Sequence, residues 1–171
     1  MALFTFVFMA LVSLPAFGTA SYKTESIMLL QPDTVMKDRV PSPQALVDYI
    51  NRSQAAAESA LASQPITPAS GFIVFAVRPG SKTRIWLDFK PALPQETADG
   101  LRNAIQSVPS FAARNGTVLF ALRATLWGAP SAEGFPYPSE WGKAMEGQEG
   151  PMEAGELVDK LAWPKAIETS K

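Results

Sequence analysis

Histidine and cysteine are both absent from this 171-residue chain. Without them the Ser-His-Asp and Cys-His nucleophile arrangements cannot be built. Zinc, copper and non-haem iron centres lose their usual imidazole and thiolate ligands as well. Neither a metal nor a cofactor is therefore expected. No disulfide can form, and a domain with a sizeable core does not need one. For an exported chain, the lack of cysteine fits a bacterial periplasm better than the small secreted domains of eukaryotes. An excess of charge is missing too. Fifteen Lys and Arg face sixteen Asp and Glu, for a net charge of −1, so neither nucleic acid nor an anionic membrane surface is an expected partner. No Ser precedes a Lys by three positions, and Gly80 is an isolated turn glycine, not part of a phosphate-binding loop. There is no internal repeat.

What the chain does have begins with an uncharged stretch. The first 22 residues carry no charged side chain, and Ala2 to Phe17 is almost continuously apolar. Gly18-Thr19-Ala20 then supplies a small-x-small site. This pattern predicts a secretory signal peptide cut after Ala20, although no Lys or Arg precedes the apolar run. The alternative is an uncleaved anchor, for which the run is short and Pro15 and Gly18 are badly placed. Either reading sends the rest of the chain out of the cytoplasm. About 150 residues then remain, enough for one ordinary domain.

The centre of that domain is 71–127. Phe72 to Arg78 is apolar and rich in Ile, Val and Phe, as expected of a strand covered on both faces. Pro79-Gly80-Ser81-Lys82 is a turn signal. Thr83 to Lys90 alternates, with Ile85, Leu87 and Phe89 on one side and Arg84, Trp86, Asp88 and Lys90 on the other. The two runs predict an antiparallel hairpin, ended by Pro91 and Pro94. Ala98, Leu101, Ile105 and Val108 then recur at helical spacing over 94–108. Asn115-Gly116 marks another turn before a strand at 117–127. Its Val118, Phe120, Leu122, Ala124 and Leu126 form one face, and Thr117, Ala121, Arg123, Thr125 and Trp127 the other, with Leu119 an apolar exception. The expectation is a two-layer α+β domain: a small antiparallel sheet, made of the hairpin and a third strand, packed on helices.

The flanks are less regular. Residues 21–70 read as an arm, with Ile27 to Leu30 either a short strand or ordered coil, followed by a helix capped at Ser42-Pro43 and running to about Ser63. Residues 128–171 read as a Gly/Pro-rich loop followed by a helix over 152–162 and a frayed tail, all packed on the same domain. The loop includes Phe135-Pro136-Tyr137-Pro138-Ser139-Glu140-Trp141, whose aromatics point to packing across the domain or to binding.

The candidate binding residues are Arg84, Trp86, Asp88, Arg123, Thr125 and Trp127 on the outer face of the sheet, with Tyr137 and Trp141 from the loop. Trp and Arg are enriched where proteins meet proteins, and two tryptophans on a polar face call for a cover. Either the 128–163 segment supplies that cover, or another envelope or secreted protein does. A second route is strand addition at the edge of the Phe72 or Thr117 strand. No catalytic residue is assigned. The functional expectation is a non-catalytic, exported, periplasmic protein-binding domain. Its alternatives are a periplasmic inhibitor or immunity protein, a carboxylate-based enzyme acting on cell-wall carbohydrate, and a lipid or small-ligand binder. The enzyme alternative predicts a cleft near the 128–150 loop holding two carboxylates.

The order of elements resembles the C-terminal domain of TonB-like energy transducers. The resemblance is carried by Ser70-Gly71-Phe72-Ile73-Val74-Phe75-Ala76-Val77, Pro79-Gly80 at the hairpin, the Leu101–Val108 helix and Asn115-Gly116 before the last strand, roughly a third of the chain. The chain has no long Pro-Lys linker and continues past the last strand. The resemblance implies a periplasmic domain that binds partners through a sheet edge without catalysis.

Overall fold

The structure is a computed structural model and describes residues 21–146 and 153–163. The expected signal peptide at 1–20 and the expected tail lie outside the described residues.

The framework is a four-stranded antiparallel sheet. The predicted hairpin is present as β2 (Ala69–Arg78) and β3 (Lys82–Lys90), in register from Ser70↔Lys90 to Arg78↔Lys82. Gly80 and Ser81 take positive φ in the turn, which reverses the chain between tightly paired strands. β4 (Val118–Leu126) pairs with the other side of β2, from Ala69↔Leu126 to Val77↔Val118. The fourth strand is β1 (Lys23–Leu29), antiparallel to β4, with an irregularity between Thr24 and Ser26. The strand order is β1-β4-β2-β3.

This order corrects one expectation. The Phe72 and Thr117 strands are central, so neither has a free edge; the edges are β1 and β3. The arm holds a complete strand, paired to β4 and packing Met28 and Leu30 on the outer-face cluster. Thr24, Glu25 and Ser26 conceal the alternation.

Two helices form the layer on the inner face of the sheet. α2 (Pro43–Leu61) starts at Ser42, whose Oγ accepts the Ala45 N–H at 3.1 Å. Its spacing puts Tyr49, Ile50, Ala57 and Leu61 on the buried stripe. α3 (Gln95–Gln106) buries Thr97, Leu101 and Ile105. Beneath them lie Ile73, Phe75 and Val77 of β2, Ile85 and Phe89 of β3, and Val118, Phe120, Leu122 and Leu126 of β4. The Phe75 and Phe120 rings stack at 4.6 Å, and Tyr49 meets both edge-on, geometries that add to simple area burial. Burial pushes the Tyr49 phenol up to about 12, against smaller opposing pulls from Ser53 and Arg52. The α+β two-layer architecture is thus realised by this sheet with α2 and α3.

Three short helices complete the described chain. α1 (Asp33–Arg39) follows β1, with Asp33 in its first turn and Lys37 and Arg39 in its last, suiting the helix dipole. α4 (Ser139–Met145) lies within the stretch read as loop, and α5 (Ala154–Ala162) realises the expected C-terminal helix. α4 and α5 lie over the outer face of the sheet, covering Phe72, Val74, Ala76, Trp86, Leu119 and Ala121 with Trp141, Leu157 and Val158.

Candidate functional site

Trp86, Asp88, Arg123 and Trp141 are brought together at an internal cover, whereas Arg84 and Tyr137 stay exposed and Thr125 lies beside β1. Trp86 is buried, meets Trp141 edge-on at 5.8 Å and donates its indole N–H to Glu140. The Arg84 guanidinium lies 5.9 Å from the Trp86 ring centre. Arg123 sits over Phe72 at 5.6 Å and donates to the Gly134 carbonyl at 3.1 Å. Asp88 accepts the Tyr137 backbone N–H at 2.8 Å. Thr125 is buried, with its hydroxyl 3.3 Å from Glu25 Oε1. Of the two ways to cover Trp86, the structure has the intramolecular one.

Trp127 is a second correction. It does not share a face with Trp86 but joins the core under the helices. Its φ is +47° and that of Gly128 is +75°, so the chain leaves the pleat here. Alternation, which assigned Trp127 to the outer face, no longer holds once φ turns positive.

The cover is fastened by a polar clasp. The Gln31 side chain accepts the Leu119 N–H at 2.9 Å and donates to the Thr117 carbonyl at 3.1 Å and to Glu153 Oε1 at 2.9 Å. Glu153 also caps α5 by accepting the Glu156 N–H. Arg39 Nη1 donates to the Thr117 carbonyl at 2.7 Å, and the Thr117 hydroxyl bonds to Asp159. Gly155 passes so close that a Cβ there would lie 2.7 Å from Glu153 Oε2 and 3.0 Å from Arg39 Nη1. Desolvation pushes the Glu153 carboxyl up. The bonds from Gln31, Gly155 and Glu156 and the Arg39 charge outweigh it, holding the group below its ordinary value.

What stays open is the edge at β1. The Leu30 N–H donates to the Leu119 carbonyl at 3.2 Å. That sets the phase of the ladder: Met28 and Leu30 turn their backbone groups to β4, while Ile27 and Leu29 turn theirs outward. The side chains of Ile27 and Leu29 are 49% and 47% exposed. Their partners across the ladder, Leu122 and Phe120, belong to the helix-side core, so Ile27 and Leu29 lie on the side of α2. Between β1 and α2 runs a groove with two hollows. One, of about 260 Å³, is mainly apolar, lined by Leu29, Met36, Val40, Pro41, Pro43 and Leu46 together with Lys37 and Ser42. The other, of about 450 Å³, is lined by Thr24, Ile27, Gln54 and Glu58, among others. Stretch 26–30 carries no charge.

The β3 edge is different. Lys82, Arg84 and Lys90 line it, and the Gln106 side chain reaches the Thr83 carbonyl at 3.5 Å. Charges of this kind blunt an edge against pairing. Sequence reasoning missed β1 as the open edge; the uncharged apolar run Ile27-Met28-Leu29-Leu30 was the available signal.

Among the described residues no helix is long and apolar enough to cross a membrane, and no group of three or more acidic side chains is placed to hold a metal ion. Compared with known proteins, the chain matches no protein-family model, no curated protein and no solved structure.

Proposed function

We propose that this chain is an exported, periplasmic protein that works by binding another envelope or secreted protein, which adds an extended segment to the β1 edge. The observation that carries this reading is the pair of outward-facing backbone positions, Ile27 and Leu29, beside an apolar groove. An added strand would satisfy their N–H and C=O groups, and its alternate side chains would enter the groove between β1 and α2. Main-chain bonds supply affinity in this mode, and the hollow at Leu29, Met36 and Leu46 selects an apolar side chain. The resemblance to TonB-like domains supports edge binding by analogy only.

The test is site-specific. A photoreactive amino acid at position 27, in the full chain expressed in its own cells, is expected to cross-link one partner through an extended segment with alternating apolar residues. The same probe at Lys82 on the β3 edge is expected to give no such product. Leu29→Pro, made in the chain that carries the probe at 27, removes an outward donor and leaves the β4 ladder intact, so the fold survives and the cross-link is lost. Equal labelling from both edges, or labelling unaffected by the proline, would sink the proposal.

A further inference from the structure

A second surface lies across the sheet from β1, and its argument is independent of the strand-addition reading. Segment 130–137 crosses the outer side of β2 and β3. Two sheet side chains hold it: Arg123 bonds to the Gly134 carbonyl at 3.1 Å, and Asp88 accepts the Tyr137 N–H at 2.8 Å. Gly134 takes φ +80° between Glu133 and Phe135, a bend that an L side chain would strain. Between the two anchors the Phe135 ring is 80% exposed, and the Tyr137 ring just beyond is 60% exposed. The two bonds fix the backbone on both sides of Phe135, so its ring projects from a set point on the sheet.

Phe135 forms one wall of a hollow of about 340 Å³, at the small end of the roughly 300–1,000 Å³ typical of ligand sites. Asp88, Lys90 and Glu133 bring charge to it, and Ser70 and Ser131 bring hydroxyls. The floor is Gly71, where a Cβ would lie 2.0 Å from the Asp88 carbonyl oxygen. That close approach of β3 fixes residue 71 as glycine, and its bare backbone borders the hollow.

The chemistry of the lining selects the ligand. An aromatic face is electron-rich and attracts C–H groups. Carboxylates and serine hydroxyls accept from hydroxyl donors, and a lysine donates to ring or acetamido oxygens. With two carboxylates to one ammonium, an anionic ligand is disfavoured. A flat molecule with one C–H face and a rim of hydroxyls meets these conditions. We propose that the hollow is a saccharide-binding site for about one or two rings of a neutral glycan, stacked on Phe135 and held at its hydroxyls by Asp88, Glu133 and Ser131.

The experiment titrates the full chain with linear tetramers of N-acetylglucosamine and, separately, of glucose, following backbone amides by NMR. Binding by one of the two is expected at millimolar or tighter Kd, with shifts at Ser70, Lys90, Glu133 and Phe135. Phe135→Ala is expected to weaken it at least tenfold without moving the thermal unfolding midpoint, since the ring is exposed. Leu29→Pro is expected to bind the same tetramer as the wild type, which separates this site from the β1 edge. Silence with both tetramers at roughly ten times a millimolar Kd, shifts confined to β1, or an unaltered affinity in Phe135→Ala would overturn the assignment.

Discussion

The two faces of one sheet are covered in opposite ways. On the inner face, α2 and α3 press a continuous apolar layer onto β2, β3 and β4, centred on the stacked Phe75 and Phe120 rings. On the outer face, two short helices, α4 and α5, bring Trp141, Leu157 and Val158 onto a smaller apolar patch. There the cover depends on polar bonds to Gln31, Glu153, Thr117 and Asp159 at its margin. Apolar burial is non-directional and sets how strongly a face is covered. A hydrogen-bonded clasp contributes less net energy but fixes where the cover sits.

Three substitutions would sharpen or break this contrast. Phe120→Ala removes the centre of the inner layer and is expected to cost about 3–5 kcal/mol, measured by urea denaturation as a lowered transition midpoint near neutral pH. Trp141→Ala is expected to cost less, on the order of 3 kcal/mol, and to expose Trp86 and Leu119. It should bind a hydrophobic dye while amides of β2 and β4 keep their exchange protection. If protection in β2 and β4 instead falls as far as in Phe120→Ala, the two faces are one cooperative unit and the contrast fails. The smallest effect belongs to Glu153→Gln. The folded-state value of Glu153 lies below its ordinary 4.5, so its stabilisation is present above pH 4.5 and is lost as the pH falls through the lower folded value. The gap in unfolding midpoint between wild type and Glu153→Gln should therefore close below pH 4.5. A gap that stays constant with pH would show that the carboxylate's charge plays no part in the clasp.

The inner face was largely legible in the sequence and the outer one was not. Ile85, Leu87 and Phe89, then Leu101 and Ile105, and then Phe120 and Leu122, declare their side by local period, because strand and helix geometry repeat within a few residues. Trp86 announced only that it needed a cover. Whether that cover was Trp141 or another protein depended on a contact more than fifty positions away. β1 was half hidden because an edge strand with a polar start carries little alternation, and α1 and α4 because seven-residue helices show barely two turns of it. Asp88 and Arg123 were singled out by residue type. The structure places both under the 130–137 loop, where they hold the segment that presents Phe135, a role set by long-range packing that no spacing rule contains.

One consequence of the sheet order concerns time. β1 is the first strand described and β4 the last, and Lys23 pairs with Thr125 across a separation of roughly a hundred residues, a costly closure that folds late. A chain threaded outwards from its N-terminus presents β1 long before any partner strand exists. In an exported chain, the β1 edge and its groove would be completed only when nearly all of the domain has crossed, so docking would wait for the end of transport.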